Sequence, residues 1–212
     1  MIYLIITTSI YNKVGIVNFE HRKNQYIESI RSALQYVSMM NRIANEQQIQ
    51  PIIVENNGFR KTYLDDLGCQ VVYTNNNDFY FKNKGMNELL DMKQVIQTVN
   101  IQDDDMIIKL TGRYKLLSPY FFQFVHEHLH TKHAFVKFFN VCTKEFMHDD
   151  CVLGLFAVKC KYLKMFDYQG KRSPECEFAT FIRNQIQTNL LNEVEMLELE
   201  CCFADDLRKL IV

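Results

Sequence analysis

Basic side chains accompany the end of one strongly apolar segment of this 212-residue sequence. Lys109 lies within the apolar run 106–110, and Thr111, Gly112 and Arg113 follow that run. The guanidinium of Arg presents a planar fork of N–H donors that matches phosphate or carboxylate oxygens, and the ammonium of Lys adds a point charge. Gly112 has no Cβ, so a ligand can approach its backbone closely. This segment indicates an anion-binding site.

A second basic segment contains Lys82 and Asn83 and ends at Gly85, where a predicted helix begins. Free backbone N–H groups at a helix N-terminus attract anions, and flanking Lys residues strengthen that attraction. Lys-rich loops are common, so this segment is a weak indication by itself.

Polar residues also follow three other apolar runs, each of which is predicted to be a strand. The first run ends in Thr7, Thr8 and Ser9, the second in Glu55 and Asn56, and the third in a polar stretch that closes with Asp78. In open parallel sheets, ligands bind beyond the carboxyl ends of the strands. Each exit alone is typical of an ordinary turn, but four of them at one edge predict a binding crevice.

Carboxylates occur in two places that could reach such a crevice. Glu175 and Glu177 begin a predicted helix, and Asp149 and Asp150 lie in a polar loop. Acidic residues at a helix start often serve only the helix dipole. Glu175, Glu177 or Asp149 could instead act as a general base or a metal ligand.

Two further clusters have side chains that could bind a metal ion, but each is better explained by its position in the predicted fold. Residues 103–105 are all Asp, but they precede the fourth predicted strand, about 16 Å from the crevice at strand rise, and are typical of a solvated turn. His126, His130 and His133 have a spacing suited to zinc on a helix. They lack a matching Cys or carboxylate and fall where that helix should end.

Strand and helix patterns alternate along the first half of the chain. Strands are predicted at residues 1–9, 51–54, 69–73 and 106–110, and helices at about 22–48 and from 85. In the second half, helices are predicted at 119–128 and 175–191, and strands at 134–139, 152–158 and 195–203. This order predicts an α/β fold with a mostly parallel central sheet flanked by helices, and a Rossmann-like N-terminal half.

Composition excludes several classes of protein. With 48% apolar residues the chain is too hydrophobic to be disordered, and a net charge of −1 argues against a general nucleic-acid binder. Apolar runs of at most seven residues predict no membrane span. Seven cysteines without a C-x-x-C pair, and no signal peptide, favour a reduced, cytoplasmic protein. Only 7 Gly and 3 Pro favour one domain over residues 1–212 without long linkers.

Over roughly residues 1–185, these motifs in this order resemble the GT-A-fold, nucleotide-sugar-dependent glycosyltransferases. The resemblance is to the small, family-2-like form found in giant algal viruses and bacteria, and a viral member would act in the host cytoplasm. It is carried by the strand exits at Thr7 and Glu55, the Lys82–Gly85 helix start, the strand and exit at 107–119, the run 154–159 and the acidic helix start at 174–179.

The resemblance implies a nucleotide-binding half, residues 1–110, and an acceptor-side half, residues 111–212. The nucleotide-sugar site would comprise Thr7, Thr8, Ser9, Glu55, Asn56, Asp78, Lys82, Asn83, Lys109, Gly112 and Arg113. Within it Lys82, Lys109 and Arg113 would face the diphosphate. Glu175, Glu177 or Asp149 would act near the acceptor hydroxyl.

One departure from the family pattern affects the predicted cofactor. Thr111-Gly112-Arg113 stands where relatives carry a metal-binding Asp-x-Asp, and it cannot chelate a cation. Either Arg113 and Lys109 neutralise the diphosphate themselves, or carboxylates elsewhere, such as Asp78, Asp149 or Asp150, hold a Mn²⁺ or Mg²⁺ ion. The sequence leaves both alternatives open.

The resemblance predicts a glycosyltransferase that moves a sugar from a nucleoside-diphospho-sugar, with UDP favoured, to a hydroxyl of a glycan or glycoprotein. The chain is either whole or one domain of a longer enzyme. A catalytically inactive nucleotide-binding or interaction module is the first alternative. A doubly wound methyltransferase or nucleotidyltransferase is the second, although no Gly-x-Gly turn follows the first strand.

Overall fold

A computed structural model describes residues 1–11, 18–43, 47–79, 85–203 and 207–212. The strands in this part of the chain are β1 Ile2–Thr8, β2 Ile49–Glu55, β3 Gln70–Tyr73, β4 Met106–Thr111, β5 Lys115–Leu116, β6 Ala134–Val136, β7 Leu155–Lys159, β8 Leu191–Glu193, β9 Leu199–Cys202 and β10 Lys209–Ile211. The helices are α1 Phe19–Ile43, α2 Gly85–Val99, α3 Tyr120–His128, α4 Cys160–Met165 and α5 Pro174–Gln185.

Seven strands form the central sheet in the order β3-β2-β1-β4-β7-β6-β8. The first four are mutually parallel, β7 is antiparallel to both β4 and β6, and β8 is parallel to β6. Strands β10, β9 and β5 form a second, antiparallel sheet. The predicted α/β fold with a mostly parallel central sheet is confirmed.

Helices cover both faces of this sheet, which explains why its strands are apolar runs without alternation. Strand β1 sends Leu4 and Ile6 to a core with α1 residues such as Ile30, while Ile5 packs on the other face with α2 residues such as Val95. Both faces of the sheet are covered by these layers, so a ligand site is expected at the ends of the strands, and the polar carboxyl ends are the usual place in such folds.

The second half departs from the predicted boundaries. Helix α5 begins after Ser173, whose hydroxyl accepts the Cys176 N–H, and ends at Gln185 instead of continuing to 191. The predicted strand 195–203 contains only β9, and β9 joins the small sheet because its partners are β5 and β10. Apolar content alone does not reveal where a chain turns away from a sheet.

The predicted halves share the central sheet, since β4 pairs with β7 across the boundary at residue 110. The division into a nucleotide-binding and an acceptor-side half stays a prediction. Among the described helices, none combines the length and the hydropathy needed to cross a lipid bilayer.

Candidate functional site

Two adjoining cavities open beyond the carboxyl ends of β1, β2 and β4. The smaller cavity, of about 480 Å³, is lined by Thr7, Thr8, Ser9, Arg22, Tyr26, Asn56, Asn77, Asn87, Glu88, Thr111 and Arg113. The larger cavity, of about 770 Å³, is lined by Gly85, Glu88, Lys109, Thr111, Arg113, Tyr114, Val141, Cys151, Val152, Leu153, Gly154, Glu175, Cys201 and Phe203. Glu88, Thr111 and Arg113 border both cavities, so these are two parts of one cleft.

The exit of β1 supplies an unpaired hydroxyl to the smaller cavity. Thr7 is buried, and its Oγ1 has no hydrogen-bond partner among the described residues. The single O–H of Thr8 lies within donating distance of two acceptors, the Val54 carbonyl at 2.9 Å and Glu55 Oε2 at 2.7 Å. The backbone of Ser9 holds helix α1, because its N–H donates to Tyr26 Oη and its carbonyl accepts from Arg22 Nε, both at 2.9 Å. Leaving a buried hydroxyl unpaired is costly, so Thr7 Oγ1 is available for a hydrogen bond in this cavity.

Glu55 is fully buried and lines neither cavity. Its carboxylate accepts hydrogen bonds from the Thr8 hydroxyl, the Ile10 N–H and the Asn57 amide. Glu55 was predicted to contact the nucleoside. In the structure its carboxylate instead connects the residues that follow β1 and β2. Its neighbour Asn56 does line the smaller cavity.

Asp91 of α2 organises the exits of β2 and β3 and was missed by the sequence analysis. Its fully buried carboxylate accepts from Thr74 Oγ1 at 2.7 Å, Asn76 Nδ2 at 2.8 Å and Asn56 Nδ2 at 2.9 Å. Burial raises the pKa of Asp91 to about 7, although the three hydrogen bonds oppose that rise. The four-residue spacing of Asn87, Asp91 and Val95, which places Asp91 on the buried face, could have identified it.

Lys109 is 2% exposed, and its ammonium is saturated by protein partners. Nζ donates to Thr111 Oγ1 at 2.5 Å and to the Leu153 carbonyl at 2.8 Å, and forms an ion pair with Glu88 Oε2 at 2.5 Å. An ammonium has three N–H donors, and these contacts use all of them. The predicted diphosphate contact thus serves to hold Glu88 and Thr111 at the cleft.

Arg113 lines both cavities, and the preceding residue, Gly112, contacts β1. One Nη1 N–H of Arg113 donates to the Cys202 carbonyl in β9. The Gly112 N–H donates to the Thr7 carbonyl at 2.9 Å, and a Cβ at Gly112 would lie 3.0 Å from that oxygen. Close packing against β1 therefore requires glycine at this position, and the predicted approach of a ligand to Gly112 stays a prediction.

The three carboxylates predicted to be catalytic have different surroundings. Glu175 lines the larger cavity, and burial raises its pKa, with a smaller contribution from the negative charge of Asp150. Glu177 accepts backbone N–H groups of Gln169, Lys171 and Arg172, and these lower its pKa against the effect of burial. Asp149 is half-buried and paired with Arg172 Nη2 at 2.7 Å. Only Glu175 of these three borders the cleft.

The residues predicted to hold a metal ion do not fit that role together. Asp78 is exposed in a 3₁₀ turn, Asp149 is paired with Arg172, and buried Asp150 accepts from Asn140 Nδ2 and the Cys151 N–H. Within the described ranges, no group of three or more His, Cys, Asp or Glu side chains is arranged to hold a metal ion. Lys82 and Asn83 lie outside the described residues.

Four cleft residues come from helices and were missed by sequence reasoning: Arg22, Tyr26, Asn87 and Glu88. Arg22 and Tyr26 are one helical turn apart on α1, and Asn87 and Glu88 lie in the first turn of α2. In the sequence they resemble the ordinary polar residues of amphipathic helices.

No protein-family model matches the sequence, and no curated protein matches it, but solved structures resemble it in fold. A protein assigned as a nucleotide-diphospho-sugar transferase from Desulfovibrio desulfuricans G20 has a TM-score of 0.54 and 10% identity, over 91% of this chain and 79% of that chain. Glucosyl-3-phosphoglycerate synthase from Mycobacterium tuberculosis, in complex with Mn²⁺, UDP and phosphoglyceric acid, has a TM-score of 0.54 and 9% identity, over 91% and 67%.

A third structure, CMP:2-keto-3-deoxy-manno-octonic acid synthetase complexed with CTP, has a TM-score of 0.51 and 8% identity, over 91% of this chain and 88% of that chain. At these identities the likeness concerns the fold alone. The chain has the α/β fold of nucleotide-diphospho-sugar transferases, which is the GT-A-like architecture predicted from the sequence.

Proposed function

We propose that this chain is a glycosyltransferase that transfers a sugar from a nucleoside-diphospho-sugar to a hydroxyl of a glycan or glycoprotein. UDP is favoured as the nucleotide by the resemblance of the motifs. The observation that carries the proposal is the divided cleft. Its smaller cavity holds two guanidiniums, and its larger cavity holds Glu175, at the sheet edge where parallel folds bind ligands.

The smaller cavity would take the nucleotide. Thr7 Oγ1 and the amide of Asn56 offer polar contacts there, and Arg113 stands at the border where the sugar–phosphate bond would lie. A guanidinium in this position stabilises the negative charge that develops on the diphosphate as it leaves. Among the residues that the structure describes, no group of His, Cys, Asp or Glu is arranged to hold a metal ion, so the residue roles are derived without a metal-dependent step.

The larger cavity would take the acceptor. An acceptor hydroxyl oxygen attacks the anomeric carbon, the bond from that carbon to the diphosphate oxygen breaks, and its electron pair leaves with the nucleoside diphosphate. The hydroxyl proton passes to Glu175, the carboxylate that borders this cavity. This direct displacement would invert the anomeric configuration. A buried carboxylate with a raised pKa is a stronger base than an exposed one.

Nucleotidyl transfer is a second candidate, favoured by the likeness to the synthetase that holds CTP. In that reaction the cleft would bind a nucleoside triphosphate and release inorganic diphosphate. Supplying the chain with CTP or UTP and a sugar, and measuring diphosphate release, distinguishes this reaction from sugar transfer. A catalytically inactive nucleotide-binding module would bind nucleotide and give neither product.

The proposal predicts that Arg113→Ala abolishes turnover of the sugar donor while the chain stays folded. Turnover is measured as nucleoside diphosphate released from a panel of UDP-, GDP- and dTDP-sugars, and folding by circular dichroism and thermal melting. Lys115→Ala is the matched control, because Lys115 lies two residues away and pairs with Glu28 at the surface. Normal sugar transfer by Arg113→Ala would contradict the site assignment.

A further inference from the structure

We infer that Arg22 and Arg113 form a two-arginine site that binds the diphosphate of the donor without a divalent cation. The inference rests on the proposed function and deepens it. It adds Arg22, which the sequence motifs did not indicate, and it selects side chains over a metal ion as the source of positive charge.

Arg22 reaches the smaller cavity from α1. The residue is 8% exposed, and its Nε donates to the Ser9 carbonyl at 2.9 Å. Its Cζ lies 5.6 Å from the centroid of the Tyr26 ring. The guanidinium is thus held at the exit of β1 by one hydrogen bond and one ring contact, and it lines the cavity from that side.

Arg113 reaches the same cavity from the exit of β4. Its Nη1 is anchored on the Cys202 carbonyl, and its Cζ lies 5.5 Å from the centroid of the Tyr114 ring. In the described part of the chain, neither Arg22 nor Arg113 forms an ion pair with a carboxylate. Two guanidiniums that border one cavity without acidic partners create a positive potential that favours an anion.

A second, independent observation points to a ligand in this cavity. The side chain of Thr7 is 4% exposed, and its Oγ1 has no partner in the portion of the chain that is described. This hydroxyl lines the same cavity as both arginines. It can donate to a phosphate oxygen, and phosphate oxygens accept from guanidinium forks as well.

The smaller cavity is also lined by one acidic residue, Glu88, whose negative charge is balanced by a lysine. Oε2 of Glu88 is 2.5 Å from Lys109 Nζ. Mg²⁺ binds through carboxylate and phosphate oxygens, and guanidiniums repel it. The cavity therefore suits a diphosphate neutralised by arginines better than a diphosphate carried by a metal ion.

Isothermal titration calorimetry with UDP tests the inference, with CDP, GDP and ADP as alternative nucleotides. Each is titrated in EDTA and in MnCl₂, and uridine is titrated as the probe without a diphosphate. We expect the wild-type Kd for UDP to agree within about twofold in the two buffers. Arg22→Ala should weaken UDP about tenfold to a hundredfold, as for lost charged hydrogen bonds, and leave uridine unchanged.

Arg31→Ala is the matched control, since Arg31 is exposed on the same helix and does not line the cavity. If Arg22→Ala fails to fold, Arg22→Gln removes the charge with a smaller change of shape. Binding of UDP only in MnCl₂ would overturn the inference and leave the proposed function standing. An equal loss of UDP and uridine affinity in the Arg22 variant would also overturn it. A wild-type chain that binds none of the four nucleotides in either buffer would contradict the proposed function itself.

Discussion

The pKa values of Glu175, Glu177 and Asp149 are shifted in different directions, because the surroundings of the three carboxylates differ. Burial raises the pKa of Glu175, whereas backbone N–H groups lower that of Glu177 despite its burial. The hydrogen bond from Arg172 lowers the pKa of Asp149. A general base must contact the substrate cavity, and a raised pKa makes it a stronger base. Of these three carboxylates, Glu175 is the one that lines the larger cavity and has a raised pKa.

We predict that Glu175→Gln lowers kcat by about two to four orders of magnitude while the Kd for the donor nucleotide stays unchanged. Gln has the same shape but cannot accept the proton. In the wild type, activity should fall as the pH drops through the raised pKa of Glu175, because the protonated acid is no longer a base. The measurement is the pH profile of kcat.

Glu127→Gln, an exposed substitution on α3, serves as the control for this profile. A Glu175→Gln variant with a wild-type kcat would show that the base is another group. The same assay on Glu177→Gln and Asp149→Asn tests the two other carboxylates that the sequence indicated.

The sequence predicted where the strands end, but it did not predict which of the polar side chains there face the cleft and which bind other residues of the protein. Glu55 and Lys109 stand at the predicted edge, yet both are occupied by internal partners. Whether a polar side chain faces a ligand or a neighbour depends on contacts between distant segments, such as Lys109 with Leu153. Such contacts have no local signature in the sequence.

At the scale of elements, α2 positions the cleft through one buried carboxylate. Asp91 connects this helix to the side chains of Asn56 after β2 and of Thr74 and Asn76 after β3. The polar exits of two strands are thereby fixed relative to a helix that also contributes Glu88. Hydrogen-bonded networks of this kind are rigid when every member is satisfied.

We predict that Asp91→Asn lowers the free energy of unfolding by about 1 to 3 kcal/mol at pH 5, because an amide N–H₂ must face the donors that now bind a carboxyl oxygen. The folded-state pKa of about 7 exceeds the ordinary value of 3.8. The stability contributed by protonated Asp91 is therefore complete below about pH 4 and is lost as the pH rises towards 7.

Urea unfolding between pH 4 and pH 8 checks this prediction. The wild type should lose its advantage over Asp91→Asn progressively as the pH rises across this range. Glu28→Gln, which removes a surface ion pair with Lys115, is the control and should change stability by less than about 1 kcal/mol at every pH. A constant difference between wild type and Asp91→Asn would contradict the role of Asp91 ionisation.

Several of the cleft residues that the sequence did not reveal lie on helices. Strand exits could be predicted because parallel strands place all their carboxyl ends at one edge. A helix turns its residues through every direction, so Arg22 or Glu88 can be assigned to the cleft only when the packing of α1 and α2 on the sheet is known. Even so, Arg22 precedes Tyr26 by four residues, and both are buried on one face.

On the scale of the whole molecule, the cleft is closed by the small sheet near the end of the described chain. The Cys202 carbonyl of β9 accepts a hydrogen bond from Arg113. Strand β10 pairs with β9 from Lys209 to Ile211. Val212 adds hydrogen bonds with the backbone of Leu199. Strand β10 therefore supports an arginine of the proposed donor site.

We predict that deletion of residues 209–212 exposes Cys201 and Cys202, which are now buried, and weakens UDP binding. Losing β10 removes the outer partner of β9, so this strand frays and releases Arg113. Thiol labelling with Ellman's reagent measures the exposure, and calorimetry measures the nucleotide affinity. Exposed Cys142 is the internal control and should react at the same rate in both proteins. Unchanged labelling and affinity after the deletion would contradict this role of β10.

The contact between Arg113 and Cys202 also orders events during synthesis. Its two residues are 89 positions apart. At a translation rate of about 5 to 20 residues per second, roughly 5 to 20 s separate the synthesis of Arg113 from that of its partner. Throughout that interval Arg113 lacks its anchor, although the parallel strands β1 to β4 have already been made. The proposed donor site of a nascent chain therefore lacks the anchor of Arg113 until Cys202 has been made.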